Sequence, residues 1–246
     1  MEHCSWNNVP LDGFPNRSMT YRVERGFEMS SLNKLEFVKP ADIETRSFEI
    51  ITAELGNREL DPEHELVIKR VIHTSADFDY ADNLVFSPHA TSIGVQALLN
   101  GCSIVTDTKM AASGINKRVL GRFGGEVYNF MSDADVAAEA KERGCTRAAV
   151  CMERAAALEK PLIYAIGNAP TALVRLYEML QAGQMPCAPA LIVGVPVGFV
   201  NVVESKELIC ELDVPHIVAR GRKGGSNVAA AICNALLYLA SNDERE

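Results

Sequence analysis

Residues 161–197, PLIYAIGNAPTALVRLYEMLQAGQMPCAPALIVGVPV, alternate between apolar runs and an amphipathic segment. PLIYAIG and ALIVGVPV are continuous apolar runs of the length that is typical of buried strands. Between them, PTALVRLYEMLQAG has helical spacing, and Pro170 stands at its start, where a helix tolerates proline. Strand, helix and strand in this order predict a βαβ unit, in which the two strands are parallel.

The same alternation continues in both directions along the chain. Further strands are predicted at SIVTDT (103–108), EVYNFM (126–131) and PHIVARG (215–221). Further helices are predicted in PHATSIGVQALLNG, ESKELICEL, GGSNVAAAICNALLYLAS and DADVAAEAKERG, the last running on toward AAALEK. We therefore predict an α/β fold, a three-layer α/β/α arrangement with a mainly parallel sheet of about five strands.

Two helical patterns precede the first predicted strand. ADIETRSFEIITAEL places its apolar residues on one face, and DPEHELVIKRVIHTSAD is expected to begin at Pro62, behind Asp61 as N-cap. Residues 1–39 are polar or irregular in pattern and are predicted to form a loosely ordered extension. Residues 40–246 are predicted to form a single domain.

Composition limits the classes of function. A net charge of −8 over 246 residues, without a basic stripe, argues against a nucleic-acid partner, although a local basic pocket can still bind an anion. No apolar stretch is long enough for a membrane span. The seven cysteines are odd in number and form no C-x-x-C pair, which favours reduced thiols in a cytoplasmic protein over disulfides or a zinc ribbon.

The loops that follow the predicted strands are the first place to look for a site, because parallel sheets bind ligands beyond the carboxyl ends of their strands. Thr108 lies in TDTKM, Asn168 in GNAPT, and Arg222 and Lys223 in GRKGGS. In GRKGGS the paired glycines would let backbone N–H groups face an anion at the start of a helix. The alternative is a glycine-rich connection with solvated basic residues.

The segment VIHTSADFDYADNLVFSP, residues 71–88, places His73 near the end of an apolar helix, one turn after Arg70. A histidine among polar groups can transfer a proton near neutral pH, and the alternative is a histidine that caps the helix. A metal site of His73 with Asp77 lacks a third ligand at suitable spacing, and no dinucleotide or Walker fingerprint occurs. We predict neither a bound metal nor a cofactor.

Six segments of the chain carry a resemblance to a known family: SFEIITAE, IKRVIHTSADFDYADNLVFSP, TDTKMAASGINKRVL, GNAPTAL, GVPVGFVNVVESKE and GRKGGSNVAAAICNALL. In this order they resemble the precorrin-8X methylmutases, from about residue 40 to the last predicted helix. INKR and GRKGGSNVAAAI most resemble the cobalt-dependent branch, the cobalt-precorrin-8 methylmutases.

The resemblance implies an isomerase of cobalamin biosynthesis. It would move a methyl group from ring carbon 11 to ring carbon 12 of cobalt-precorrin-8 or precorrin-8X, giving cobyrinate or hydrogenobyrinate. His73 matches the family histidine, which acts as proton donor and acceptor on the macrocycle. The resemblance also implies a homodimer with the site near the interface.

Substrate contacts follow in part from the same resemblance, in which Ser47, Arg70 and Arg147 match substrate-contacting positions. We add four residues at strand ends as partners for the carboxylates of the tetrapyrrole: Thr108, Asn168, Arg222 and Lys223. Two other functions remain open at this point. One is a non-catalytic tetrapyrrole carrier, and the other is a nucleotide-dependent oxidoreductase, for which the glycine fingerprint is missing.

Overall fold

The computed structural model describes residues 35–242, in which a 3-10 helix (Pro40–Asp42) is followed by eleven α-helices and six strands. The helices are α1 (Ile43–Leu55), α2 (Glu65–Ser75), α3 (Tyr80–Asn83), α4 (Ala90–Leu99), α5 (Lys109–Gly114), α6 (Lys117–Arg122), α7 (Ala134–Arg143), α8 (Arg147–Ala156), α9 (Pro170–Gln181), α10 (Val202–Cys210) and α11 (Ser226–Ala240). The strands are β1 (Leu84–Phe86), β2 (Ser103–Thr106), β3 (Val127–Tyr128), β4 (Leu162–Ile166), β5 (Leu191–Gly194) and β6 (His216–Ala219).

By compactness the chain divides after Pro40, and residues 41–242 carry the sheet and all eleven α-helices. The predicted extension, residues 1–39, lies almost wholly outside the described residues and stays a prediction. No helix in the described range combines the length and the apolarity that crossing a membrane requires.

The six strands form one sheet in the order β1-β6-β5-β4-β2-β3. The five strands from β2 to β6 pair in parallel, as the sequence predicts, for example with Ile163 of β4 opposite Leu191 of β5. The prediction of about five strands missed β1, an antiparallel edge strand that places Leu84 opposite Ala219 of β6. A run of only three residues has too few side chains for a periodic pattern to reveal it.

The three predicted layers are visible in β4, whose five residues are all buried. Ile163 and Ala165 pack into one apolar cluster with α2, α4 and α11, while Leu162, Tyr164 and Ile166 pack into a second with α8 and α9. Successive side chains of a strand point to opposite faces. Both faces of the sheet are therefore covered by helices, which explains the continuous apolar runs of the central strands.

Two helix boundaries differ from the sequence-based prediction. α2 begins at Glu65 and not at Pro62, because Asp61 closes a turn: its side chain accepts from the Glu63 N–H at 2.9 Å and its carbonyl accepts from the His64 N–H at 2.9 Å. α7 does not run on toward AAALEK, since Gly144 ends it in a left-handed conformation (φ 63°).

The break after α7 changes the position of Arg147. Thr146 caps α8 by accepting from the Ala149 N–H at 3.2 Å. Arg147 is therefore the first residue of α8 and does not lie inside a longer helix.

Candidate functional site

His73 lies in the last turn of α2, and its side chain is exposed. The helix ends two residues later, where Ala76 adopts a left-handed conformation and donates to the Ile72 carbonyl at 2.7 Å. The imidazole lies 5.6 Å from the Phe48 ring of α1, measured between centroids, with a tilt of 33°. One side of the imidazole is thus restrained by an apolar neighbour, and the ring remains accessible.

A cavity of about 240 Å³ opens beside His73. Its wall consists of Arg70, His73 and Thr74 from α2, Gly114 at the end of α5, and Asn227, Ala230, Ala231 and Asn234 from α11. Small residues keep this space open. Gly114 is closely packed, because a Cβ placed there would approach the Ala230 Cβ to 2.9 Å.

Asn234 holds one wall of the cavity in place with both ends of its amide. Its Nδ2 donates to the Gly114 carbonyl at 2.8 Å, and its Oδ1 accepts from the Asn116 N–H at 2.8 Å. This pair of bonds ties α11 to the connection between α5 and α6. The cavity wall is therefore a fixed part of the fold.

Arg70 lines the same cavity but is only 8% exposed. Its Nη2 donates to Glu44 of α1 at 2.6 Å, and its guanidinium lies over the rings of Phe48 (5.2 Å) and Tyr238 (4.7 Å). Its buried Nε has no acceptor among the described residues. Arg70 therefore joins α1, α2 and α11.

Ser47, on α1, is half-buried and donates its hydroxyl to the Ile43 carbonyl of the preceding turn at 2.8 Å. It precedes Phe48, the residue that contacts the His73 ring. Its oxygen can still accept a hydrogen bond. The predicted substrate contact of Ser47 stays a prediction.

The loops after β2 and β6 meet through two hydroxyl groups. Thr108 Oγ1 accepts from the Ala111 N–H at 3.0 Å as the N-cap of α5, and it lies 2.7 Å from Ser226 Oγ, at the start of α11. The predicted residue Thr108 therefore supports both helix starts. Ser226, the last residue of GRKGGS, was not singled out from the sequence.

Asp107 is a second residue that sequence reasoning missed, although it directly follows strand β2. It is 1% exposed, and its carboxylate accepts from the backbone N–H groups of Gly167 (2.9 Å), Asn168 (2.8 Å) and Ala169 (2.6 Å). Burial raises the pKa of the Asp107 carboxyl, and these three donors oppose that rise. The carboxylate shapes the turn after β4 and leaves the Asn168 side chain exposed at the rim of the sheet.

Lys223 is not an isolated cation. Its Nζ lies 2.6 Å from Asp77 Oδ2 and 2.6 Å from Asp79 Oδ2, and these contacts raise the pKa of the ammonium. The same hydrogen bond lowers the pKa of Asp77. Two of the aspartates that follow His73 therefore tie the end of α2 to the loop before α11 and offset the charge of Lys223.

Arg222 is exposed, with its guanidinium 5.4 Å from the centroid of the Phe199 ring in the loop between β5 and α10. The sequence predicted that the N–H groups of both Gly224 and Gly225 would face a ligand, and for Gly225 this prediction is wrong. The Gly225 N–H donates to the Val195 carbonyl at 2.9 Å. A Cβ at Gly224 would lie 2.2 Å from that same oxygen, so the two loops are in close contact.

Arg147 is placed apart from the His73 cavity. It is exposed, and its Nη1 donates to the Met131 carbonyl, beyond the end of β3, at 3.3 Å. Helix α8 packs in the layer opposite to α2. Of the predicted site residues, only Arg70 and His73 line this cavity.

Neither metal ligation nor disulfide chemistry is suggested by the part of the chain that the structure describes. Residues 35–242 contain no group of three His, Cys, Asp or Glu side chains that could hold a metal ion. The six cysteines in this range, from Cys102 to Cys233, are free thiols. Burial raises the pKa of Cys102 and of Cys151 to about 11, which makes both poor nucleophiles.

Comparisons of the sequence and of the structure with known proteins all match the same family. The family model CbiC, precorrin-8X methylmutase, matches residues 42–239. The chain is 48% identical over 208 residues to a cobalt-precorrin-8 methylmutase of Salmonella typhimurium, covering 81% of this chain and 95% of that protein. It is 42% identical over 193 residues to a precorrin-8X methylmutase of Pseudomonas aeruginosa, covering 78% and 91%. The structure of a precorrin-8X methylmutase from Thermus thermophilus superposes with a TM-score of 0.75 at 39% identity, covering 82% of this chain and 98% of that one.

Proposed function

Because the chain belongs to the precorrin-8X methylmutase family, we propose that it catalyses an intramolecular methyl transfer in cobalamin biosynthesis. The methyl group moves from ring carbon 11 to ring carbon 12 of cobalt-precorrin-8 or precorrin-8X, giving cobyrinate or hydrogenobyrinate. The observation that carries the proposal is the accessible His73 ring at the mouth of the cavity, within the range that the family model matches.

A methyl shift within one molecule needs no hydride donor and no protein nucleophile. It needs a conjugated ring whose double bonds rearrange as a proton is added or removed. In this mechanism His73 donates and accepts that proton, as an imidazole can near neutral pH. Phe48 lies beside the imidazole, with the ring centroids 5.6 Å apart, and contributes to its orientation.

The carboxylates of the substrate require donors around this centre. Arg222 and Asn168, both exposed at the ends of strands β6 and β4, are the best placed to reach them, and Arg70 adds positive charge at the cavity wall. Ser47 and Thr108 carry hydroxyl groups that can also donate to a carboxylate, Ser47 by exchanging its present bond to the Ile43 carbonyl. Lys223 contributes less attraction than a solvated lysine would, because Asp77 and Asp79 already offset its charge.

A homodimer with the site near its interface is part of the proposal. A volume of about 240 Å³ is below the range of about 300–1,000 Å³ for drug-sized ligands, so a tetrapyrrole extends well beyond the cavity. A second copy would supply a further wall. Arg147, exposed and outside the cavity, would then meet substrate carboxylates near that interface.

The reaction is assigned no protein-bound metal or cofactor. Where cobalt is present, it enters with the substrate. We further propose that the protein acts in the cytoplasm. The free thiols are in keeping with a reducing compartment.

The test is turnover followed by absorption spectroscopy, with cobalt-containing and metal-free substrate in parallel. Conversion by the wild type with loss of conversion in His73→Asn is the expected result. The matched control is His89→Asn, at a second exposed histidine. His89 has a left-handed backbone conformation (φ 57°), which asparagine tolerates. A wild type that binds the tetrapyrrole and leaves its spectrum unconverted would instead identify a carrier.

A further inference from the structure

Lys206 of α10 is a fully buried lysine, with 0% of its surface exposed. Burial lowers the pKa of its ammonium to about 8. Among the described residues it has no carboxylate partner, and its Nζ donates to two main-chain oxygens, Gly221 O and Lys223 O, each at 2.8 Å. A buried charge is costly unless it is well bonded, so this arrangement calls for a role beyond packing.

The three successive carbonyls of residues 221–223 are all bound from inside the protein. Lys206 donates to those of Gly221 and Lys223, and the Gly198 N–H donates to the Arg222 carbonyl between them at 3.2 Å. These acceptors are occupied by α10 and by the loop before it. A carbonyl free to face a carboxylate would repel it, whereas the Arg222 side chain stays exposed.

Lys206 itself is enclosed and cannot reach a large ligand. Any effect on the substrate must pass through the loop of residues 221–223. That loop is already joined to its neighbour, since the Gly225 N–H donates to the Val195 carbonyl and the Arg222 guanidinium lies over Phe199. Within these contacts, the Lys206 ammonium binds two carbonyls of the loop at once, those of Gly221 and Lys223.

We propose that Lys206 is a positioning residue for substrate binding: it holds the backbone of residues 221–223 so that Arg222 presents its guanidinium to a substrate carboxylate. This inference rests on the proposed function for the identity of the ligand. The restraint on the loop is independent of the ligand and can be measured without it. Hydrogen bonds from an ionised donor are roughly twice as strong as neutral ones, so an ammonium suits this task.

The test compares Lys206→Met with Lys160→Met. Methionine fills a similar volume without a donor, so it removes both hydrogen bonds and leaves no unpaired charge behind. Lys160 is the matched control, because it is a half-buried lysine that also donates to neutral oxygens, Tyr128 Oη at 2.8 Å and Ser103 Oγ at 3.4 Å. It precedes β4 and lies at the other end of the sheet.

Two measurements are made on each protein. The first is hydrogen exchange at the Gly198 and Gly225 amides without tetrapyrrole, which we expect to quicken by at least about tenfold in Lys206→Met, because the Gly198 amide donates to the loop and Gly225 lies two residues after it. The second is steady-state turnover, where KM should rise by at least about fivefold while kcat stays within about twofold of the wild type. Lys160→Met should match the wild type in both.

Unchanged exchange would show that the ammonium does not hold the loop, and quickened exchange with an unchanged KM would show that the loop does not position a substrate group; either overturns the inference. A wild type that fails to convert the substrate refutes the proposed function and leaves the exchange result standing. If Lys206→Met does not fold, Lys206→Gln replaces it. Its shorter, uncharged side chain weakens the bonds to both carbonyls, so a KM equal to that of the wild type would count against the inference.

Discussion

Replacing Asp107 by alanine removes the one carboxylate that closes the turn after β4. In the native protein this side chain is 1% exposed and accepts three backbone N–H groups at 2.6–2.9 Å. Alanine offers no acceptor, so the N–H groups of Gly167, Asn168 and Ala169 lose their common partner. The change therefore acts on stability and on the position of Asn168 at the rim.

The expected cost follows from those three donors. An unsatisfied buried group costs about 1–3 kcal/mol, and a water molecule entering the vacated space would re-pair some of them. A loss of about 4 kcal/mol is a reasonable total, close to that for breaking a buried charged network. This is the cost of truncation and not the net worth of the carboxylate, because burying the charge is itself unfavourable and raises the pKa of Asp107.

The assay is unfolding by heat and by urea. For a domain of this size, about 4 kcal/mol corresponds to a fall in Tm of about 8–16 °C. With an m-value of about 2 kcal/mol per molar, it corresponds to a fall of about 2 M in the urea midpoint. Asp107→Asn keeps one acceptor oxygen and should lose about half as much.

The control is Asp213→Ala, at an exposed aspartate, which should change stability by less than about 0.5 kcal/mol. If Asp107→Ala unfolds within about 1 kcal/mol of the wild type, the three hydrogen bonds do not hold the turn, and Asp107 is not the residue that closes it.

Three further predictions can be tested on the same protein. His73→Asn should lower kcat by about 10²–10⁴-fold while tetrapyrrole binding and the folded state persist, since it removes a proton donor; near-normal turnover, compared with His89→Asn, would contradict this. Arg147→Ala should weaken tetrapyrrole binding by at least about tenfold, because an arginine–carboxylate contact is worth roughly 2 kcal/mol on truncation. The exposed control Lys141→Ala should change the affinity little. Equal affinities of the two variants in an absorbance titration would show that Arg147 does not contact the substrate. Burial lowers the pKa of Lys206 from 10.5 to about 8, so between those values the unfolded chain binds a proton that the folded protein does not. The stability of the wild type relative to Lys206→Met should therefore rise with pH across this window, by up to about 1.4 kcal/mol per pH unit; a fall between about pH 8 and 10 in urea unfolding would refute it.

The periodic pattern of side chains along the chain was enough to predict the class of fold. Buried parallel strands and amphipathic helices differ in period, and that difference can be read locally without knowing any partner. Hence the strands β2 to β6 and the helix starting at Pro170 were predicted correctly. The same local signal gave His73 as a candidate and pointed to the loops at the carboxyl ends of the strands.

Features that depend on contacts distant in sequence were beyond that signal. Strand β1 exists because Leu84–Phe86 pairs with β6, more than 130 residues away in the chain. The end of α7 at Gly144 is by contrast a local feature that was predicted wrongly, because the helical pattern resumes on the other side of the break.

The electrostatics of the site were decided by tertiary structure alone. A sequence shows Lys223, Asp77 and Asp107 as charges, and it does not show that Lys223 is neutralised by two carboxylates or that Asp107 is bonded to three backbone donors. The physical reason is the steep dependence of hydrogen bonds on distance and angle. A helix or strand encodes its own period in neighbouring residues, but the partner of a charge is whichever group the whole fold brings within about 3 Å of it.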